Sequence, residues 1–220
     1  MQTFDTRAPI SAVLDIPAGR VRFVAADRVD TAVEVLPADS AKNSDVQTAE
    51  RTSVEYADGV LRIRTAEPKS QLRGSGSVQI TVQLPTGSRV EARTASAELE
   101  SAGRLGDLAF EGAYRRISID EAASVRLTAT DGDVEVRRLG GPAEISTARG
   151  DIRIAEAVRG EVVLRTQSGN LSVSAATGVS ATLDADSGYG RISNTLKNDG
   201  TPELTIRATT SQGDITARSL

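Results

Sequence analysis

A short phrase that returns at a nearly fixed interval constrains the fold of this chain more than any other feature. It reads TATDGDVEV at residues 128–136, STARGDIRI at 146–154 and RTQSGNLSV at 165–173, so that successive turn glycines stand 18 and 19 residues apart. A repeat this short cannot enclose a core by itself, and it becomes stable only when neighbouring copies stack. The spacing therefore predicts a β-solenoid.

The same pattern extends to weaker copies on both sides. Taking the turn residue of each copy as its origin, the origins are Ala97, Arg115, Gly132, Gly150, Gly169, either Gly188 or Gly190, and Gly213. Small residues recur three positions before each origin: Thr94, Gly112, Ala129, Thr147, Thr166, Ala185 and Thr210. Apolar and polar residues alternate around the origins, which indicates half-buried strands. Glycine followed by Asp or Asn predicts a corner, because glycine accepts positive φ and the short polar side chain bonds nearby backbone.

These strands and corners predict an all-β fold, a single-stranded, right-handed parallel β-helix with short three-sided rungs of about 18 residues. The third side is expected to pass through Leu105, Ala123, Leu139 and Val158. Residues 89–220 hold the regular repeats. Residues 1–88 form an irregular β region, for which wider or capping rungs of the same solenoid and a separate sandwich remain alternatives.

Local signals in the N-terminal third are more specific. Residues 53–63 predict a β-hairpin that turns at Asp58-Gly59. The polar segment 37–51 predicts a loop or a short helix, and residues 69–77, with two glycines, predict a flexible loop. Val78, Ile80, Val82 and Leu84 alternate with polar residues and predict a strand.

Composition excludes several kinds of site. The chain contains neither Cys nor His, so disulfides, thiolate nucleophiles and imidazole bases or ligands are impossible. The net charge is −4, and no basic block with interleaved aromatic residues occurs, so we expect no nucleic-acid partner. No segment approaches the roughly 20 apolar residues of a membrane-spanning helix. We expect no cofactor.

Residues 1–5, MQTFD, lack the basic and apolar regions of a signal peptide. With Met1 as the native start, we expect a cytoplasmic protein.

Acidic residues at the corners are the candidate chemistry. Asp133, Asp151, Asn170 and Asp214 are expected to stack at one corner, as a calcium ladder or a row of catalytic carboxylates would. Turn chemistry, in which each side chain caps its own corner, is the simpler interpretation, because calcium-binding solenoids have denser Gly and Asp. Arg149 and Arg153 could neutralise the column.

Two acidic pairs keep a carbohydrate function open. Asp131/Asp133 and Asp184/Asp186 are each two residues apart, so on a strand both members face one side, as in a carbohydrate-active enzyme or lectin. Sugar sites usually contain aromatic platforms, and this chain has three Tyr, three Phe and no Trp. We assign no catalytic, cofactor-binding or metal-binding residue.

The segment VQITVQLP at 78–85, followed by repeated Thr-x-x-Gly-Asp-Ile phrases, resembles the DUF4097 family of bacterial adhesin-like β-strand-repeat proteins. The resemblance extends from the strands around Ile10 to Ile215. It implies a β-helix whose relatives act as interaction modules linked to cell-envelope stress. The expected function is therefore a non-catalytic scaffold or protein-interaction domain, not an enzyme.

The chain stops at Ser219-Leu220, directly after the strand that contains Ile215. We expect this last rung to present an open edge that pairs with another copy or with a partner strand. A cytoplasmic polymer built by end-to-end stacking is a further alternative.

Overall fold

A computed structural model describes residues 1–66, 76–112 and 116–220. The chain forms two compact units, Met1–Tyr114 and Arg115–Leu220. The elements of the first unit are β1 (Gln2–Asp5), β2 (Ser11–Ala26), β3 (Asp30–Pro37), α1 (Asn43–Glu50), β4 (Thr52–Ala57), β5 (Val60–Thr65), β6 (Val78–Pro85), β7 (Arg89–Ala102) and β8 (Arg104–Gly112). Those of the second are β9 (Ile117–Asp131), β10 (Val134–Leu139), β11 (Ala143–Arg149), β12 (Ile152–Ala157), β13 (Gly160–Ser168), β14 (Leu171–Ala175), β15 (Ala181–Tyr189), β16 (Ile192–Thr195), β17 (Leu204–Gln212) and β18 (Ile215–Ser219).

Two long strands organise the first unit. β2 and β7 run parallel from Ser11↔Arg89 to Val24↔Ala102. β5 lies along the first half of β2 and β6 along the second half, both parallel to it. Three other pairings are antiparallel: β1 with β3, β3 with β6, and β4 with β5. The first unit therefore combines parallel and antiparallel pairing.

Local predictions in this unit agree with the structure. β4 and β5 form the expected hairpin, and both residues of its turn have positive φ, 52° at Asp58 and 75° at Gly59, as a type I′ turn requires. α1 occupies part of the polar segment 37–51, and β6 is the strand expected at 78–84. The predicted loop 69–77 lies outside the described residues except for its last two, as does the corner residue Arg115.

The second unit is built from two stacks of parallel strands. We call them stack A, formed by the first half of β9 with β10, β12, β14, β18 and β16, and stack B, formed by the second half of β9 with β11, β13, β17 and β15. The chain alternates between them, so each turn carries two strands. Three-sided rungs are therefore not confirmed: Ala123 and Leu139 lie within β9 and β10. The right-handed winding of the solenoid remains a prediction.

Spatial order and chain order differ at the end of the second unit. β17 lies between β13 and β15, and β18 lies between β14 and β16. The C-terminal rung is therefore inserted, and the rung that precedes it in the chain becomes the outermost one. Ile215 pairs with Leu171 on one side and Ile192 on the other, and its side chain is 1% exposed.

The prediction of an open edge around Ile215 is consequently wrong. Its physical reason is register equivalence, since β13 and β15 both pair with β17 through the same residues: Val162 and Leu183 each lie opposite Ile206. A repeat that fits equally well on either neighbour does not reveal its place in the stack.

The core of the second unit consists of columns of inward side chains. One column runs Val125, Ala143, Val162, Ile206, Leu183 through stack B. Its first four members are buried, whereas Leu183, in the outermost strand, is half-buried. Each fully buried aliphatic side chain contributes roughly 1.5–3 kcal/mol. Burial thus declines towards one end of the stack.

In the described parts of the chain, no helix is both long and apolar enough to cross a bilayer.

Candidate functional site

The turn glycines of the second unit stack directly on one another. A Cβ atom on Gly150 would lie 2.2 Å from the carbonyl oxygen of Gly132, and one on Gly169 would lie 2.0 Å from that of Gly150. The same overlap, at 1.9 Å, places Gly190 on Gly213, which makes Gly190 rather than Gly188 the corner of its rung. These corners have no space for a side chain.

The column of Asp and Asn beside the glycines is present as predicted, and we call it the Asx ladder (Asp133, Asp151, Asn170, Asp214). Asp133 Oδ1 accepts the backbone N–H of Asp151 at 2.9 Å, and Asp151 Oδ1 accepts that of Asn170 at 2.7 Å. Asn170 Oδ1 accepts the N–H of Asp214 at 2.9 Å, and Asp214 Oδ1 that of Arg191 at 2.8 Å. Each side chain therefore bonds to the next rung. This differs from the prediction that each side chain caps its own corner.

Hydroxyl groups secure the inner side of the same corner. Thr166 Oγ1 donates to the carbonyl oxygen of Gly150 at 3.3 Å, and Thr210 Oγ1 donates to that of Gly169 at 3.1 Å. In the outermost rung Ser187 Oγ donates to the carbonyl oxygen of Gly213 at 2.9 Å, so Ser187 takes the place predicted for Ala185. The column of small residues thus supplies inter-rung hydrogen bonds as well as space.

A groove of about 470 Å³ lies over the start of the Asx ladder. It is lined by Arg116, Asp131, Gly132, Asp133, Val134, Glu135, Gly150, Asp151 and Arg153. Asp131 forms an ion pair with Arg149 at 2.9 Å, and Glu135 forms one with Arg116 at 3.2 Å. Arg149 thus pairs with a carboxylate beside the ladder, while Arg153 forms no ion pair with another described residue.

The carboxylates of this groove are not arranged as a catalytic pair or a metal-binding cluster would be. Asp131 ends β9, whereas Asp133 follows the glycine corner, so the pair does not share one strand as predicted. Among residues 1–66, 76–112 and 116–220, no three acidic side chains converge in a way that could hold a metal ion. The ladder carboxylates accept backbone N–H groups of neighbouring rungs, which supports a structural role at the corner, although not the predicted capping of each side chain's own turn.

A second candidate lies at the other end of the second unit. β15 and β16 pair with β17 and β18 on one side, and no further strand of the described chain pairs with their other side. We call these two strands the open edge. Tyr189 is 80% exposed and Ile192 is 48% exposed, although Ile192 continues the inward column that contains Ile215. An apolar position of the repeat is therefore left uncovered.

The linker 196–203, which leads from β16 back to β17, covers only the start of this edge. The backbone N–H of Asp199 donates to Ser180 Oγ at 3.1 Å, and the carbonyl oxygen of Lys197 accepts the N–H of Ala181 at 2.9 Å. The Ser180 hydroxyl, by hydrogen bonding to the carboxylate, lowers the pKa of Asp199 below its ordinary value, with the backbone N–H of Thr201 adding to the effect. The linker is thus anchored beside Ala181, away from Tyr189.

Sequence reasoning missed the open edge, although one signal was present. The interval from Gly190 to Gly213 is 23 residues, longer than the 18 or 19 of regular copies, and the extra residues form a polar segment around Asn198-Asp199-Gly200. A linker of this length allows the next rung to return past its predecessor.

Nearly the whole chain, residues 14–219, matches the family model Toastrack DUF4097. The chain belongs to the DUF4097 (Toastrack) family. The resemblance noted in the sequence is thereby confirmed, and this Toastrack chain is all-β with mostly parallel pairing. No curated protein is significantly similar to it.

Several solved structures are similar to this Toastrack chain over nearly its full length. A putative adhesin from Bacteroides fragilis NCTC 9343 is 12% identical, with a TM-score of 0.46, covering 98% of this chain and 95% of its own. A putative adhesin from Parabacteroides distasonis ATCC 8503 is 13% identical, with a TM-score of 0.45 and the same coverages, 98% and 95%. A putative cell adhesion protein from Clostridium sporogenes ATCC 15579 is 11% identical, with a TM-score of 0.41, covering 100% and 98%.

The two candidate sites of this Toastrack domain differ in what they leave free. The corner engages its polar atoms in hydrogen bonds between rungs. The open edge leaves strand backbone without a strand partner and two large apolar side chains in solvent. The open edge is therefore the better candidate for binding.

Proposed function

We propose that this Toastrack domain is a non-catalytic interaction module and that its partner adds a strand to the open edge. The observation that carries the proposal is the outermost rung, where β15 and β16 are paired on one side and Tyr189 and Ile192 are exposed. Solenoids ordinarily close their ends with a capping element, because an uncovered end exposes backbone groups and core side chains. An added partner strand pairs with the exposed backbone groups and also covers the exposed core side chains.

The corner of the second unit supports this assignment by contrast. Its carboxylates and hydroxyls hold neighbouring rungs together, so replacing them changes stability before it changes any ligand. A carbohydrate function at the Asp-rich corner gains no specific observation from this arrangement.

Site-specific photo-cross-linking in the native host tests the proposal. A photoreactive phenylalanine analogue replaces Tyr189, and in a control chain it replaces Val29, which is 68% exposed in the first unit. We expect a discrete adduct with one protein from position 189 and none from position 29. Adducts of the same size and yield from both positions, or none from position 189, would exclude the open edge as the docking surface.

A further inference from the structure

Ion pairs join neighbouring strands of stack B on its outer face and at its corner end. Asp131 on β9 pairs with Arg149 on β11 at 2.9 Å. Glu144 on β11 pairs with Arg165 on β13 at 3.2 Å, and Glu161 on β13 pairs with Arg207 on β17 at 3.2 Å. Each of these carboxylates has a guanidinium on the next strand towards the open edge, and Glu144 also lies 3.9 Å from Arg126 on β9.

These ion pairs do not continue to the outermost strand. β15 carries Asp184 and Asp186 on its outward side, both exposed, and neither forms an ion pair with a described residue. Asp184 lies opposite Arg207 in the register, but the guanidinium of Arg207 is engaged by Glu161 on the other side. Cationic side chains on one more strand would be placed to pair with both carboxylates.

Charge opposes a symmetric pairing of two copies of this chain through β15. Antiparallel pairing of two β15 strands centred on Ala185 would set Asp184 of each copy against Asp186 of the other. Like charges directly opposite one another destabilise a strand pair. The two carboxylates therefore act against this symmetric pairing, and they favour a strand of opposite charge.

We propose that the open edge receives an extended segment of a partner protein with Lys or Arg at alternate positions. This inference rests on the proposed function and adds the chemistry of the partner. The segment lies beside β15, continues its hydrogen-bonded ladder, and places two cations next to Asp184 and Asp186. The exposed ring of Tyr189 at the end of β15 offers a further contact to a cationic side chain.

Three synthetic peptides of equal length test this inference with the full chain. In them valine alternates with lysine, with threonine or with glutamate. Amide shifts of the isotope-labelled protein report where each peptide binds, and titrations report its affinity at low and high salt. We expect the lysine peptide to shift amides of β15 and β16, to bind more tightly than the threonine peptide, and to weaken as salt rises.

Two double variants with the same change of charge complete the test. D184N/D186N should weaken the lysine peptide roughly two- to thirtyfold, the range that two exposed ion pairs supply. D131N/E144Q, whose carboxylates lie on the inner strands β9 and β11, should leave the affinity unchanged.

The outcomes separate the two proposals. Equal binding of all three peptides at β15 and β16, or full affinity in D184N/D186N, would overturn the cationic partner while leaving the open edge as a docking surface. A lysine peptide that shifts no amide of β15 or β16 would overturn both.

Discussion

Gly150 illustrates, at the scale of single residues, how closely the rungs of the second unit approach one another. Its φ is 131°, in the region that favours glycine, and a Cβ atom would lie 2.2 Å from the carbonyl oxygen of Gly132. Two separate requirements, one conformational and one steric, therefore select glycine here. The recurrence of glycine that marks the repeat is a consequence of stacking as much as of turning.

Replacing Gly150 by Ala should consequently be more harmful than replacing a glycine that only turns. Gly178 has a φ of 82°, but no atom lies within 4 Å of its added Cβ. We expect Gly178→Ala to lower the free energy of unfolding by about 1–2 kcal/mol, the cost of the left-handed conformation. Gly150→Ala adds a backbone clash and should lower it by about 3 kcal/mol or more. Urea unfolding of both variants measures this difference, and equal losses would mean that the corners are not close-packed.

The residue pattern predicts the corner but not every bond within it. Glycine followed by Asp or Asn indicates the turn and the stacked column, because that chemistry is local. The acceptor of each N–H is not local: Asp151 bonds to Asn170, 19 residues away, once the rungs lie one strand spacing apart. The choice between Gly188 and Gly190 likewise depends on which glycine stacks on Gly213.

At the scale of elements, the inserted C-terminal rung determines what holds the outermost rung in place. β15 and β16 pair with β17 and β18, and neither pairs with β13 or β14. β17 and β18 therefore connect the outermost rung to the rest of the second unit. Loosening β17 should free β15 and β16 together with it.

Ile206→Ala tests this dependence. Ile206 is fully buried between Val162 and Leu183, so the truncation should cost about 2–5 kcal/mol. Hydrogen exchange should then show β15 to β18 losing protection as one unit, while β9 to β11 exchange more slowly. Ile145→Ala, a truncation of an equally buried residue in β11, is the control. It should not selectively lower the hydrogen-exchange protection of β15 and β16. Persistent protection of β15 and β16 while β17 exchanges would contradict the inserted order.

The sequence predicts the elements whose conformation depends on local chemistry, but it does not predict the order in which strands stack in space. The β4–β5 hairpin follows from Asp58-Gly59, whose backbone conformation selects the turn. The place of β17 does not follow from its sequence, since its inward residues fit β13 and β15 in the same register. Only the long interval before Gly213 indicates that the chain turns back.

At the scale of the whole molecule, a repeat predicts a stacked all-β chain, and the family match agrees with it. The number of strands in each turn is not contained in the period, because 18 residues can form two longer strands or three shorter ones. The predicted boundary after residue 88 stays a prediction. The location of the open edge, on which the proposed function depends, follows from the spatial order of the last rungs.

Disulfide trapping measures that order directly, since the natural chain contains no cysteine. Val163 and Arg207 are registered partners on adjacent strands, whereas Val163 and Asp184 are separated by β17. Two strand spacings are about 9–10 Å, too far for a disulfide, which needs Cα atoms within about 7 Å. The inserted order predicts that Val163→Cys/Arg207→Cys closes an intramolecular disulfide under mild oxidation and that Val163→Cys/Asp184→Cys does not. The reverse result would place β15 beside β13 and contradict the open edge.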